Sequence, residues 1–535
     1  MKRMKTILVT TFLTALVILP SFGQTTVVRR ETEKKTDSTP VVLTKEQYYE
    51  RATKQADPMK AMADYRKAAD MGHAEAMYVI AKCYQRGRGG LTQNEVEAKN
   101  WLEKAARAGS VQAQNELNRQ KTALQEQSEL NSGVMLELRD SYVGKYGYKL
   151  YEGKGYSIRI TDKKEAEVFT WKVKPRGTLV LPERVKIEGV VYDVTSIGSG
   201  AFKDSKELTK VVVPNSIKTI GDMAFSDCTA LQSIQLPGGL KSLSWGMFSE
   251  CKSLTALVIP STVTDIHMMA CYGCESLTEV TIPAGVLEIG RDAFASCRNL
   301  RTVTIPNGVK TIGRSSFARC SSLTQVTIPS SVTEISEEAF LECTSLVSVD
   351  IPNSVGTIGK YAFCKCEKLK SVRFSNRLKE IPSCAFASCY GLETLTIPAN
   401  IEKIDMEAFQ YCKNLKTVVI SLGVKIVGGY AFQGCENLTS VTIPNSVTGI
   451  GREAFSRCGS LTSITLPDRI DKIRLMTFYE CKNLTEVSIP ESVVELIVPS
   501  AFAGCENLKQ LTLRLAGGGT KKKSASKWKK EEINQ

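Results

Sequence analysis

Histidine is nearly absent from this chain of 535 residues, which contains only His73 and His267. A metal site built from several histidines is therefore excluded. The chain also lacks a basic cluster in its body, since residues 201–510 carry 30 Lys and Arg against 30 Asp and Glu. The net charge of +14 comes from the two ends of the chain. No nucleic-acid partner is expected, because such an interface needs a clustered basic face.

Long apolar runs are missing after the first 20 residues, so no membrane span is expected. At the start, basic residues at positions 2, 3 and 5 precede an apolar stretch at 7–19 and the small residues Ser21 and Gly23. This layout predicts a secretory signal peptide over residues 1–23. A membrane anchor is the alternative, but the stretch is shorter than the roughly 20 residues that a spanning helix needs. No cysteine precedes Cys83, so no lipid-attachment cysteine is expected at the cleavage site.

After a polar linker predicted at residues 24–43, residues 44–130 are rich in alanine and predicted to be helical. The run Lys67-Ala68-Ala69 with Gly72 returns 37 residues later as Lys104-Ala105-Ala106 with Gly109. A repeat of this length with small residues at its contacts predicts paired antiparallel helices. With Tyr84, Gly87, Gly89 and Trp101, the segment resembles the SEL-like repeat, a relative of the tetratricopeptide repeat. The resemblance implies a protein–protein scaffold, and a helical spacer is the alternative.

The rest of the chain is dominated by an Ala-Phe pair followed by x-x-Cys, which recurs every 23 residues and, at the last step, after 24. The 14 anchor positions are Phe202, Phe225, Phe248, Cys271 (in place of Phe), Phe294, Phe317, Phe340, Phe363, Phe386, Phe409, Phe432, Phe455, Phe478 and Phe502. Between anchors the apolar pattern is L-x-x-V-x-I-P-x-x-V-x-x-I, which predicts a short strand with one buried face, ended by proline. A single 23-residue coil cannot bury that face, so the coils must stack.

The predicted fold class is therefore an α+β repeat protein, with helical hairpins followed by a solenoid that has one short parallel strand per coil. Tyrosine-rich residues 131–200, with strand patterns at 156–160 and 178–181, are predicted to form a β-rich cap and the first coil. The repeats proper are predicted at 201–513. Residues 514–535 are rich in glycine and lysine and are predicted to be a disordered basic tail.

Over about residues 177–513, the motif L-x-x-V-T-I-P-x-S-V-T-x-I-G-x-x-A-F-x-x-C resembles the BspA-type leucine-rich repeat family. That family is common on bacterial surfaces and includes adhesins that bind host matrix proteins and other cells. The resemblance implies an exported protein-binding solenoid. The ligand does not transfer with the fold.

Thirteen of the 17 cysteines stand three residues after an anchor, and we expect them to be small buried side chains at a tight corner. Disulfides between neighbouring coils are the alternative, although a ladder of 13 cannot pair completely. Cys271-x-x-Cys274 and Cys364-Lys365-Cys366 are expected to belong to the core rather than to a metal or redox site. No metal or cofactor is expected, and no catalytic motif lies in a supporting context, so an enzyme is disfavoured.

The residue between the buried Val and Ile of each coil should face solvent and form a column along the solenoid. The predicted protein-binding face consists of Thr281, Thr304, Thr327, Asp350, Arg373 and Thr396. Asp350 and Arg373 are the contact point that we favour, because they interrupt a smooth threonine row. A simple ion pair between neighbouring strands is the alternative. The partner would be an extracellular protein if the chain is a cell-surface adhesin, or an envelope protein if it is a periplasmic scaffold.

Overall fold

The computed structural model describes residues 43–91, 94–118, 136–138, 141–143, 149–153, 155–169 and 174–529. The chain divides into two compact units, Met1–Leu124 and Gln125–Gln535. The predicted signal peptide and nearly all of the predicted linker lie outside the described residues.

The first unit is helical, as the sequence predicts. Its helices are α1 (Lys45–Lys54), α2 (Pro58–Asp70), α3 (Ala74–Arg86) and α4 (Glu95–Arg107), and residues 111–118 are also helical. Local signals set the helix starts. Asp57 caps α2 by accepting a hydrogen bond from the Met59 N–H at 2.9 Å, and Pro58 stands at the first helical position, where its missing N–H costs nothing.

The 37-residue repeat of the sequence is also a repeat of hydrogen bonds. The Gly72 N–H donates to the Ala69 carbonyl at 2.9 Å, and the Gly109 N–H donates to the Ala106 carbonyl at 3.1 Å. Both glycines have positive φ, +87° and +100°, a conformation that side chains disfavour. Trp101 packs against both small cores of the unit. The paired-helix prediction is therefore confirmed for this segment.

The second unit begins with a sheet that caps the solenoid. Its strands are β1 (Leu136–Leu138), β2 (Ser141–Val143), β3 (Lys149–Glu152), β4 (Ser157–Ile160), β5 (Ala166–Phe169), β7 (Arg184–Ile187) and β8 (Val190–Ile197). Strand β6 (Gly177–Val180) begins the first column of the solenoid. In the cap the order is β1-β7-β8-β5-β4-β3-β2, with β3 antiparallel to both β2 and β4. The two strands predicted near 156–160 and 178–181 are β4 and β6.

Most solenoid coils contribute to two columns of parallel strands. The first column continues with β9 (Leu208–Val212), β11 (Ser233–Gln235), β14 (Glu279–Thr281), β16 (Thr302–Thr304), β19 (Ser348–Asp350), β21 (Ser371–Arg373), β23 (Thr394–Ile397), β25 (Thr417–Ile420), β27 (Ser440–Thr442), β29 (Ser463–Thr465), β30 (Glu486–Pro490) and β31 (Gln510–Arg514). Its strands pair in parallel, residue i with residue i+23, as in Thr281 with Thr304. The solenoid prediction is therefore confirmed.

The structure adds a second column, built from the V-x-x-I half of the motif. Its strands are β10 (Thr219–Ile220), β12 (Ser242–Leu243), β13 (Asp265–Ile266), β15 (Glu288–Ile289), β17 (Thr311–Ile312), β18 (Glu334–Ile335), β20 (Thr357–Ile358), β22 (Glu380–Ile381), β24 (Lys403–Ile404), β26 (Ile426–Val427) and β28 (Gly449–Ile450). These strands also pair in parallel at a spacing of 23 residues, as in Ile312 with Ile335. Each has two residues, too few to show an alternating pattern in the sequence.

The anchor phenylalanines stack inside the solenoid in two runs, Phe202 to Phe248 and Phe294 to Phe502. Neighbouring rings are parallel within 15°, with centroids 5.3 to 5.8 Å apart. All of these phenylalanine side chains are fully buried. Removing a buried Phe side chain costs about 3–5 kcal/mol, so the stack contributes strongly to stability.

The stack is interrupted at Cys271, between Phe248 and Phe294. Cys271 is fully buried, as expected for a core residue. In the preceding coil, the buried Met247 stands in the column that alanine usually occupies. A larger neighbour thus accompanies the smaller anchor residue, which keeps the local side-chain volume closer to that of a regular coil pair.

The ladder cysteines are free thiols, and each donates a hydrogen bond to the carbonyl of the anchor one coil earlier, over Sγ···O distances of 3.0 to 3.4 Å. All 13 are fully buried. Burial raises the pKa of the thiols of Cys343 and Cys412 to about 12. The thiol therefore satisfies a backbone carbonyl at the corner of each coil and is kept protonated.

The prediction of a disordered basic tail was wrong for residues 514–529. Strand β32 (Thr520–Ser524) pairs antiparallel with β31, and a short 3₁₀ turn (Ser526–Trp528) follows it. Trp528 is fully buried, and its carbonyl accepts a hydrogen bond from the Phe502 N–H at 3.0 Å. The physical reason is that the tail takes the place that the following coil has elsewhere, since the Phe502 N–H donates to the Trp528 carbonyl as the Phe478 N–H donates to that of Ala501. Trp528 covers the last coil, while exposed lysines on β32 discourage further strand pairing.

Candidate protein-binding face

The candidate face is the solvent side of the first strand column. In a typical strand of this column, such as Glu279–Thr281, the central residue is buried and its two neighbours are exposed. The six predicted residues, Thr281, Thr304, Thr327, Asp350, Arg373 and Thr396, are all exposed. They stand one per coil over six consecutive coils, a row of about 24 Å at the usual strand spacing. The structure therefore brings all six predicted residues together in one column.

Asp350 and Arg373 lie directly opposite each other on paired strands and form an ion pair. Their side chains remain 65% and 59% exposed. An ion pair that is this exposed contributes little to stability. The alternative interpretation as a neighbouring-strand ion pair is thus present in the structure, and both charges still face solvent.

The coil that carries Arg373 is irregular, with Phe374-Ser375 where most coils have Ile-Pro. Phe374 packs edge-on against the anchor ring of Phe386, with 5.6 Å between the ring centroids. The Ser375 hydroxyl donates to the Val355 carbonyl at 2.6 Å, and the Asn400 side-chain amide donates to the Ser375 carbonyl at 3.0 Å. These contacts hold the backbone beside Arg373 in place without the usual proline.

Sequence reasoning missed a second exposed column of charged residues, which begins in the coil of Arg373 and continues in the next two coils. Lys370, Glu393 and Lys416 occupy equivalent positions in three successive coils, and Lys416 forms an ion pair with Glu393 at 2.8 Å. The hydrogen bond from Lys416 lowers the pKa of Glu393. Two exposed valines on the face were also left out of the site, Val258 (82% exposed) and Val419 (43%). The valines stand 23 residues from Thr281 and Thr396, and the three charged residues stand 23 residues from one another, so the repeat spacing was the signal that could have found them.

The cysteine pairs that could suggest a redox or metal site are separated or buried. Cys271 and Cys274 are both fully buried, and the Cys274 thiol hydrogen-bonds to the Phe248 carbonyl at 3.2 Å. Cys366 belongs to the ladder, whereas Cys364 packs in a separate small cluster with Cys384 and Ala387. Across the described ranges, no group of three or more His, Cys, Asp or Glu side chains is placed to hold a metal ion.

The remaining sequence candidates are exposed or structural. His267 is exposed and lies at the turn that follows β13. His73 caps α3, where its Nδ1 accepts a hydrogen bond from the Ala76 N–H at 3.2 Å. None of the described helices is long and apolar enough to cross a membrane.

Comparison with known proteins relates both units to repeat families. The Sel1 repeat matches residues 47–73 and 74–110 of the helical unit. The BspA type leucine rich repeat region matches residues 195–324, 287–416 and 402–516, which together span more than half of the chain. No curated protein matches the chain.

The similar solved structures include two bacterial leucine-rich repeat proteins. A leucine-rich repeat protein from Bacteroides ovatus is 31% identical, with a TM-score of 0.64, over 67% of this chain and 93% of that protein. A leucine rich cell surface protein from Faecalibacterium prausnitzii is 26% identical, with a TM-score of 0.45, over 71% of this chain and 96% of that protein. Leucine-rich repeat proteins are generally scaffolds without enzymatic activity. On the repeat match and the stacked 23-residue coils together, this chain belongs to the BspA-type leucine-rich repeat family.

Proposed function

We propose that this chain is an exported, non-enzymatic protein-binding solenoid that acts on the bacterial cell surface as an adhesin or interaction protein. The observation that carries the proposal is the exposed column from Thr281 to Thr396. All of its residues except Thr327 stand on short strands that pair in parallel with a strand of a neighbouring coil. A preformed row of this kind can make many weak contacts that add up along one partner.

Asp350 and Arg373 are the contact point of this proposal. They are the only two charged residues in a column that otherwise consists of Thr, Val, Ser and Gln. Their paired charges have a fixed order along the solenoid, so they would set the register of a partner more than its affinity. Small β-branched neighbours leave both charged groups accessible from solvent.

A second candidate function is a periplasmic scaffold. It is favoured by the helical unit, whose two Sel1 repeats are built as paired helices with their own small cores. In this alternative the helical unit binds one envelope protein and the solenoid binds another.

Protease accessibility on intact cells separates the two candidates. Cells that express the full chain are treated with proteinase K, and a periplasmic protein serves as the control for membrane integrity. Cleavage on whole cells, with the control intact, supports the surface location. Protection until the outer membrane is opened contradicts the adhesin and favours the periplasmic scaffold.

Binding to a panel of purified extracellular-matrix proteins then tests the contact point. We expect the double substitution Asp350→Ala and Arg373→Ala to weaken binding to any matrix protein that the wild type captures, by about tenfold for the loss of two charged contacts. Lys413→Ala with Glu436→Ala is the matched control, because these residues also form an exposed ion pair, at 3.1 Å, between neighbouring coils. Equal affinity of both double variants would remove Asp350 and Arg373 from the site.

A further inference from the structure

A charged groove of about 630 Å³ lies on a different surface of the solenoid, at the turns that lead into the first strand column. It crosses six consecutive coils, from the coil of Phe248 to that of Phe363. Its charged lining residues stand two or four positions after the anchor, and they are Glu250, Lys252, Glu275, Arg298, Arg319, Glu342, Lys365 and Glu367. Four of these are acidic and four are basic, so the groove is neutral as a whole, but its charges are not evenly distributed.

One end of the groove is acidic. Glu250 and Glu275 share a single ammonium, that of Lys252, at 3.3 and 3.4 Å. Together, these three side chains carry a net charge of −1. Gly273 keeps this end open, because a Cβ built there would lie 2.6 Å from a carboxylate oxygen of Glu250. Any residue larger than glycine would push that carboxylate out of its place.

The middle of the groove is basic. Arg319 and Lys365 share the carboxylate of Glu342, at 3.1 and 2.8 Å. Hydrogen bonds from both partners lower the pKa of Glu342, so this shared carboxylate is ionised at neutral pH. Of the charged lining residues, only Arg298 and Arg319 lie in the two middle coils. The middle of the groove therefore carries two positive charges, while Glu342 and Lys365 belong to the last two coils.

Arg298 is the cation that the groove leaves available. Lys252, Arg319 and Lys365 form ion pairs, whereas Arg298 forms none with the residues that the structure describes. Its backbone is fixed by the next coil, since its carbonyl accepts from the Ser322 N–H at 3.0 Å and from the Ser321 hydroxyl at 3.3 Å. A guanidinium on a fixed backbone presents a fork of donors that matches a carboxylate.

The last two coils carry Glu342, Lys365 and Glu367, which sum to one negative charge, so the other end is acidic again. The charge order along the groove is therefore negative, positive, negative, with sums of −1, +2 and −1. The six coils span about 24 Å, which is the length of about seven residues of extended peptide. An occupant that complements this order has an acidic group between two basic groups.

We propose that this charged groove binds an extended peptide segment of a partner protein in which an acidic side chain is flanked on both sides by basic side chains. The carboxylate of the segment pairs with Arg298, and its basic side chains lie at the two acidic ends. The site does not include any residue of the threonine column, so it can be tested whether or not that column binds a partner.

The test uses a labelled peptide, Ser-Lys-Ser-Glu-Ser-Lys-Ser, whose charged side chains lie on one face when the chain is extended. Its charge-reversed counterpart is Ser-Glu-Ser-Lys-Ser-Glu-Ser. Fluorescence anisotropy at an ionic strength of about 0.15 M, where the Debye length is about 8 Å, measures the binding of each to the full chain. We expect the first peptide to bind about fivefold more tightly. This preference would oppose the net charge of the chain, +14, which favours the second, acidic peptide.

Two variants decide whether the groove is responsible. Arg298→Glu should weaken binding of the first peptide about fivefold or more. Arg301→Glu makes the same charge change in the same coil, but Arg301 does not line the groove, so it should change affinity less than about twofold. The proposal is overturned if the first peptide does not bind, if both peptides bind equally or follow net charge, or if the two variants lose the same affinity.

Discussion

The inward and outward columns of the solenoid differ in how strictly they repeat. The column six residues after each anchor is leucine in all 14 coils and is fully buried in each. The outward column that includes Asp350 and Arg373 holds six residue types over the same coils. Every coil meets the same neighbours inside, so packing selects the same side chain, whereas solvent imposes no such selection.

This difference separates the residues that determine the fold from those that can carry function. A buried position changes less freely, and where Cys271 replaces the anchor phenylalanine, the larger Met247 stands in the alanine column of the preceding coil. An outward position changes at little cost in stability. Departures from the repeat in the outward columns, such as Asp350, Arg373 and Arg298, are therefore the places where a partner is expected to bind.

The largest change in stability is expected from the buried cysteine thiols at alkaline pH. Burial raises their pKa from the ordinary value of 9.0 to about 12 in Cys343 and Cys412. Since the folded state keeps protons that the unfolded chain releases above pH 9, this contribution to stability is complete below pH 9. It is lost as the pH rises toward 12. We expect the free energy of unfolding, measured by urea unfolding at about pH 8 and about pH 9.5, to fall with pH, with up to about 1.4 kcal/mol per pH unit from a single thiol such as that of Cys343.

Two single variants show whether the ladder causes this loss. Cys343→Ala removes one titrating group from the solenoid, so its stability should depend less steeply on pH, by about 1.4 kcal/mol per pH unit. Cys83→Ala removes a thiol from the helical unit and should leave the unfolding of the solenoid unchanged. The same pH dependence in wild type and Cys343→Ala would show that the ladder thiols are not responsible.

The interior columns could be predicted from the sequence because each one repeats the same apolar residue 23 positions apart. The second strand column was missed, since two residues such as Thr311 and Ile312 are too short to show an alternating pattern. The charged groove was missed for a different reason. Its charge order appears only when Glu250, Arg298 and Glu367 are read across coils, while local sequence shows three unremarkable surface charges.

Composition alone gives the wrong prediction for the C-terminal end of the solenoid. Residues 514–535 are rich in lysine and glycine, which is typical of a solvated tail. The segment is nevertheless ordered as far as Trp528, because this buried side chain covers the end of the last coil. The comparison between inward and outward columns therefore extends to the end of the chain, where a single inward side chain replaces a whole coil.

A smaller effect is expected when this end is opened. Trp528→Ala should cost about 3–5 kcal/mol, and the loss should be confined to the last coils because each coil contacts only its neighbours. Hydrogen exchange of the Phe502 amide, which donates to the Trp528 carbonyl at 3.0 Å, measures the loss of protection. Lys527→Ala is the control, since this side chain is exposed and lies over the same ring. Unchanged protection of Phe502 in Trp528→Ala would mean that the tail does not close the solenoid.

The smallest net effect is expected where the interior itself departs from the repeat. Met247→Ala alone should leave a cavity that costs about 2–5 kcal/mol, and Cys271→Phe alone should overpack the core by about 1–3 kcal/mol. The double variant recreates two regular coils, with alanine before the anchor and phenylalanine at it, so its stability should lie within about 1 kcal/mol of the wild type. Urea unfolding of all four proteins gives the coupling energy between the two sites. Additive losses would show that Met247 and Cys271 do not compensate each other, and that a buried position can leave the repeat without help from its neighbour.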